Sequence, residues 1–248
     1  MLQKTVLVTG GTRSIGLAIS FSFAKAGYNV AMNYKNDDAA AEEALSEILK
    51  VGSEATIVKA DISTQQGRSN LLLQTLDKFG KIDALINNAG IAQRSDFLDT
   101  DENDYEREIN CNLTAPVLMA QAVAKHMVES NVSGNIINIC SIAGHHGLVS
   151  LGYAASKAGL LAATKLMARE LAQHQIRVNS VSPGPIRTDI NKNLWQGKPE
   201  EWQKMMEPIA LKRAGKPDEV SNVVFALASD EFSYVTGADI IVDGGFLN

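Results

Sequence analysis

A chain of 248 residues, 45% hydrophobic and 21% charged, can bury a sizeable core and fits one large domain, residues 1–248, better than two small ones. Its formal charge of -5, with acidic and basic residues evenly mixed, offers neither a basic face for nucleic acid nor a polybasic anchor for membrane lipid, so neither partner is expected. No leader pattern and no long apolar window is present, and Cys111 and Cys140 stand outside any CxxC spacing. A cytoplasmic protein with two free thiols and no metal centre is therefore expected.

In chain order, short apolar runs alternate with helical stretches. KTVLVT at 4–9 is followed by a helix near 15–26, YNVAMN at 28–33 by one over 38–51, and EATIVKAD at 54–61 by one near 65–79. IDALINN at 82–88 leads to a long helix near 103–130, and GNIINICS at 134–141 to one over 153–172. IRVNSVSP at 176–183 comes before a last helix near 217–228. Strand and helix in strict turn predict an α/β fold, a doubly wound parallel sheet of Rossmann-like form with helices on both faces. The strands lack polar alternation, as burial on both sides requires. Residues 183–216 interrupt the pattern, and so long an excursion reads as a functional lid over a substrate.

The stretch TGGTRSIG at 9–16 follows the first strand and opens the first helix. Early glycines allow a tight turn and close approach of a pyrophosphate, while the helix N-terminus supplies free N–H groups and a favourable dipole. Gly10, Gly11 and Gly16 meet that need, though a glycine-rich turn alone is weak support. The second strand ends Met32-Asn33-Tyr34-Lys35, without the carboxylate that would accept ribose hydroxyls and repel a 2′-phosphate. Tyr153 and Lys157, four apart on a helix, share one face. An ordinary phenol keeps its proton to about pH 10, but a neighbouring ammonium favours the phenolate, which suits an acid/base role. Ser141 closes the fifth strand at the carboxyl edge of the sheet, where open α/β proteins hold ligands. His145 and His146 lack further ligands and read as substrate-loop or surface residues. In the lid, Ile190, Leu194, Trp195, Trp202, Met205, Met206 and Ile209 form an apolar set suited to covering a ligand, or to packing the lid itself.

Taken together, the glycine loop, NNAG at 87–90, Ser141, YAASK at 153–157 and the Pro183-Gly184 turn resemble the short-chain dehydrogenase/reductase family, whose motifs are matched in order over nearly the entire chain. The resemblance implies a hydride-transferring oxidoreductase acting on a small secondary alcohol or ketone, with 3-oxoacyl carrier-protein reductases and glucose dehydrogenases among its look-alikes. A dinucleotide-sensing protein without chemistry is the non-enzymatic alternative. The implied catalytic set is Asn112, Ser141, Tyr153 and Lys157, with neighbouring Asn110 as the rival for the asparagine.

The implied cofactor set runs through Gly10, Thr12, Arg13, Ser14, Ile15 and Gly16 in the loop, then Lys35, Asp61 and Ile62 around the adenosine. It continues with Asn88, Ala89 and Gly90 at the ribose, Tyr153 and Lys157, and Pro183, Gly184, Ile186 and Thr188 near the nicotinamide. Arg13 matches the cation of NADP-preferring members, so NADP(H) is the expected cofactor, and a homotetramer the expected assembly. Ser14 departs from the pattern, standing where the family has a glycine. It is expected to take ordinary helical dihedrals, to offer its hydroxyl to a phosphate, and to leave cofactor binding intact. A small free substrate is expected over an acidic carrier protein, because the turns at 126–134 and 172–175 lack a fixed cluster of arginine or lysine.

Overall fold

The six apolar runs and a seventh near the C-terminus form seven parallel strands in a computed structural model that describes residues 3–247, the side chain of Ile190 excepted. The strands are β1 (Thr5–Val8), β2 (Asn29–Tyr34), β3 (Ala55–Lys59), β4 (Ala84–Asn87), β5 (Asn135–Ile139), β6 (Arg177–Pro183) and β7 (Asp239–Val242). Their order across the sheet is β3-β2-β1-β4-β5-β6-β7, and every ladder is parallel. Successive strand residues point to opposite faces, so Val6 and Val8 enter one core and Leu7 the other.

On the first face lie α1 (Ser14–Lys25), α2 (Asp38–Lys50) and α10 (Pro217–Ala228), contributing Ile19, Phe23, Ile48, Val220 and Val224. The second face is covered by α3 (Gln65–Phe79), α5 (Ala115–Glu129) and α7 (Leu151–Leu171), through Leu71, Met119, Val123, Met127 and Ala168. Among the described residues no helix is long and apolar enough to cross a membrane.

Three features position the site. Strand order reverses between β1 and β4, which leaves a crevice at their carboxyl ends. The expected long helix over 103–130 is interrupted: α4 (Glu102–Ile109) passes through a π-helical turn, Asn110–Thr114, into α5. Such turns occur often at functional sites. The excursion at 183–216 carries α8 (Lys192–Gly197) and α9 (Pro199–Met206), where Trp202, Met206, Ile209 and Ala214 pack with Leu194, Trp195, Met205 and Phe246 as a small core of their own. Most of the apolar set read as covering a ligand therefore holds the lid together.

Candidate active site

The loop after β1 and the loop after β4 are tied together at the switch point. Thr9 Oγ1 accepts the backbone N–H groups of Asn88 at 2.9 Å and Ala89 at 3.1 Å, while Asn88 Nδ2 donates to the carbonyls of Thr9 and Gly10, both at 3.0 Å. Gly10 has φ +60°, and a side chain on Gly16 would run into the Gly10 carbonyl, so those two glycines are required by the turn itself. Helices α2, α3, α4 and α7 each begin under a side-chain cap, from Asp37, Thr64, Asp101 and Ser150. Helix α1 has no such cap and no acidic residue in its first turn. Its free N–H groups face the crevice end of β1, and this donor set fits a dinucleotide pyrophosphate. Thr12 and Ile15 belong to the same turn.

Ser14 does not have the helical dihedrals expected of it. Its φ is +49°, in the left-handed region, because the turn needs there the conformation a glycine adopts freely. Its hydroxyl donates to Asp189 Oδ2 at 2.7 Å and accepts from Asp189 N–H at 3.1 Å, so it latches the loop to the lid and offers no spare donor to a phosphate. Left-handed backbone costs a non-glycine residue about 1 to 2 kcal/mol, a cost carried by the free and the bound protein alike. Relieving it in Ser14→Gly is expected to change dinucleotide affinity by less than about tenfold, a factor that needs 1.4 kcal/mol. A larger gain in a fluorescence titration would show that Ser14 and Asp189 obstruct the loop.

At the adenosine end, Asn33 closes β2 in place of a carboxylate and is buried, its amide donating to the Val58 and Ala60 carbonyls at 3.2 and 2.9 Å. Arg13 Nη1 lies 3.3 Å from Asp37 Oδ2, and Lys35 Nζ lies 2.7 Å from Asp61 Oδ2. Burial works against ionisation of Asp61, but hydrogen bonds from Lys35 and Ser63 outweigh it and hold its carboxyl below the usual range. Both expected cations thus face carboxylates. Asp37 was not apparent from sequence, since it lies three residues beyond the end of β2 and meets Arg13 only in the fold. Ile62 is buried beside Asp61.

The chemical residues collect around β4, β5 and α7. Lys157 is 4% exposed; its Nζ donates to the Ile139 carbonyl at 2.7 Å and lies 5.7 Å from the centre of the Tyr153 ring. Tyr153 is half-buried on the same face. Ser141 follows β5, its Oγ accepting from Ala143 N–H at 3.1 Å. The next turn, α6 (Ala143–His146), packs Gly144 so closely on Lys157 that an added methyl would stand 2.8 Å from the Lys157 carbonyl carbon.

Asn112 is fully buried, and its amide clasps Ile91, accepting from the Ile91 N–H at 2.9 Å and donating to its carbonyl at 2.8 Å. Asn110, the rival, is exposed and reaches the Ser63 carbonyl at 3.4 Å. A methyl on Gly90 would lie 3.1 Å from Asn112 Oδ1 and 3.7 Å from Lys157 Nζ, so Gly90 keeps the floor between them open. Cys140 is buried, which pushes its thiol up to about 12, and burial also raises Cys111; neither favours a thiolate.

On the lid side, Pro183 ends β6 and its carbonyl accepts from Ile142 N–H at 3.1 Å. Gly184 allows close packing on Asp239's strand, a methyl there standing 2.7 Å from Asp243 Cβ. Ile186 is 5% exposed, and the Thr188 N–H donates to Asn191 Oδ1 at 3.0 Å across the turn that begins at Asp189. His145 pairs with Asp239 at 2.9 Å, and Asp239 accepts from Ser180 and Ser182. Among the described residues no group of His, Cys, Asp or Glu is placed to hold a metal. The turns at 126–134 and 172–175 each precede a strand and so lie at the amino edge of the sheet. Their lack of cations therefore says nothing of the crevice mouth at the carboxyl edge, and the expected preference for a free substrate over a carrier protein does not follow from them.

A doubly wound sheet with an uncapped glycine loop at its switch point and Ser, Tyr and Lys side chains beside it defines a dinucleotide-binding α/β oxidoreductase. A family model described as enoyl-(acyl carrier protein) reductase matches residues 10–247. Glucose 1-dehydrogenase 2 of Bacillus subtilis is 38% identical over 246 residues, covering 98% of this chain and 94% of that one. A 3-oxoacyl-[acyl-carrier-protein] reductase of Synechocystis is 39% identical over 249 residues, covering 100% and 98%. The crystal structure of acetoin dehydrogenase from Enterobacter cloacae superposes with a TM-score of 0.90 at 33% identity, covering 100% of this chain and 96% of that chain. The chain belongs to the short-chain dehydrogenase/reductase family and is an oxidoreductase of that family.

Proposed function

We propose that the protein is an NADP(H)-dependent reductase or dehydrogenase for a small secondary alcohol and ketone pair. The carrying observation is the buried Lys157, fixed on the Ile139 carbonyl one helical turn from the half-buried Tyr153. Lys157 alone would serve a binding protein, but a phenol held beside it with Ser141 and Asn112 also present favours chemistry over sensing. When bound, the dinucleotide supplies or accepts the hydride. Tyr153 gives its hydroxyl proton to the carbonyl oxygen in reduction and removes it from the alcohol in oxidation. Ser141 donates a hydrogen bond to the same oxygen, Lys157 holds a positive charge beside the phenol, and Asn112 keeps the 91–93 segment against them. Gly10, Gly16 and the N–H groups at the start of α1 hold the pyrophosphate, Ser14 latches that loop to the lid, Arg13 with Lys35 meets the 2′-phosphate, and Asp61, Ile62, Asn88, Ala89 and Gly90 line the adenosine and ribose. A homotetramer is the proposed assembly, with Leu118 of α5 among the large apolar residues left exposed.

For the substrate, the relatives' names span glucose, acetoin and a carrier-linked oxoacyl chain. The rim after β4 carries Asp96, Asp99 and Asp101, all exposed, against the single cation Arg94. The lid mixes both signs. An acidic rim disfavours an acidic carrier, so a small free ketone is the preferred class. The test compares a carrier-linked oxoacyl substrate with acetoin-like and sugar substrates at matched NADPH. A strong preference for the carrier-linked form, lost at high salt, would reverse the assignment.

A further inference from the structure

Helix α4 reads ENDYEREI, the polar stripe of a solvated helix, yet Glu108 on it is only 2% exposed. No cation pairs with it among the described residues. A buried carboxylate without a counter-ion is costly unless its oxygens are hydrogen-bonded. Here they are: Oε1 accepts from Gln93 N–H at 2.7 Å and from Ser150 Oγ at 3.0 Å, and Oε2 lies 2.9 Å from the same hydroxyl. Ser150 Oγ in turn accepts from Tyr153 N–H at 3.2 Å as the N-cap of α7. Gly152 makes room for this contact, since a methyl there would stand 2.6 Å from Glu108 Oε2. Glu108 and Asn112 are four residues apart, and they grip one short segment at Gln93 and at Ile91. An apolar side chain would fill the space more cheaply but could make none of these bonds.

We infer that Glu108 is a positioning residue for the reaction: its carboxylate fixes the first turn of α7, and so the phenol of Tyr153, against the 91–93 segment that borders Gly90 and Lys157. The assignment rests on the proposed acid/base role of Tyr153. Near the N-terminus of α7 the helix dipole also favours a negative charge, so the carboxylate suits its place in both charge and hydrogen bonding. Ser150 relays its effect: one hydroxyl caps the helix and donates to Glu108 at once.

The test measures kinetics and amide hydrogen exchange on E108A, E108Q, S150A and the E108A/S150A pair. E108A is expected to lower kcat by about ten- to a hundredfold, the scale of a small misplacement of a catalytic group, while the NADPH dissociation constant moves much less, because Glu108 bonds only Gln93 and Ser150 and touches none of the residues at the pyrophosphate or the 2′-phosphate. E108Q keeps an oxygen for Gln93 N–H and should recover most of that loss. The double variant should fall well short of the product of the single effects, because Glu108 and Ser150 act as one unit. Exchange protection at the Gln93 and Tyr153 amides should drop in E108A and return in E108Q. G152A, which crowds the carboxylate without removing it, should reproduce part of the loss and covers the case in which E108A does not fold. Unchanged kcat, independent effects of Glu108 and Ser150, or unchanged protection at both amides would overturn the inference. The exchange measurement needs no substrate, so a wild-type protein without ketone reductase activity would sink the proposed function and still leave the hydrogen-bonded relay decided.

Discussion

Tyr153→Phe is expected to reduce turnover by at least about a hundredfold, the usual size of a lost general acid, while dinucleotide affinity stays nearly intact. The ring is half-buried on α7, and its packing survives the change because only the hydroxyl oxygen is removed. Lys157 keeps its bond to the Ile139 carbonyl, so the charge beside the ring also remains. The neighbouring side chains are poorly placed to take over the proton, since Lys157 is turned to the Ile139 carbonyl. Ser141 Oγ is a weak acid and already accepts from Ala143 N–H, and His145 is turned to Asp239. Single-turnover measurement at saturating cofactor separates this loss from slow product release. A variant that keeps half the wild-type rate would mean that the proton comes from elsewhere and that the catalytic assignment is wrong.

Much of the framework can be read from local signals because those signals are local in cause. Helix α3 runs from Gln65 to Phe79 as its pattern predicts, since Thr64 caps one end and Gly80, at φ +76°, ends the other. The last helix starts at Pro217 for the same kind of reason. What sequence left out depends on residues brought together over long distances. Ser14 and Asp189 are 175 positions apart, and nothing near Ser14 shows that its hydroxyl is taken or that the turn will force a positive φ. Glu108 looks like one more exposed charge until α7 crosses over it. The π-helical turn at Asn110–Thr114 follows an ordinary helical pattern and shows itself only in the buried clasp of Asn112 on Ile91. The turns at 126–134 and 172–175 misled by being close in sequence to functional elements while lying at the opposite edge of the sheet.

Replacing Arg13 with alanine is expected to weaken NADPH by about tenfold and NADH far less. A hydrogen bond to a charged group contributes about 1.5 to 3 kcal/mol, and NADH lacks the 2′-phosphate that receives it. The lower end applies because the Arg13 side chain is 58% exposed and solvent screens it. Asp37 complicates the assignment, since its carboxylate sits 3.3 Å from the guanidinium and must give way to an incoming phosphate. The pair is exposed on both sides, with Asp37 44% exposed, so separating it costs little against a doubly charged ligand. Asp37→Asn should then free Arg13 and move preference further toward NADPH, in the opposite direction to Arg13→Ala. Equilibrium titration of both variants with both cofactors reads the two shifts together. If Arg13→Ala weakens both dinucleotides equally, Arg13 supports the loop and does not read the phosphate. If Asp37→Asn instead weakens NADH alone, the carboxylate accepts ribose hydroxyls and the protein is an NAD enzyme whose acidic residue stands three positions beyond the strand.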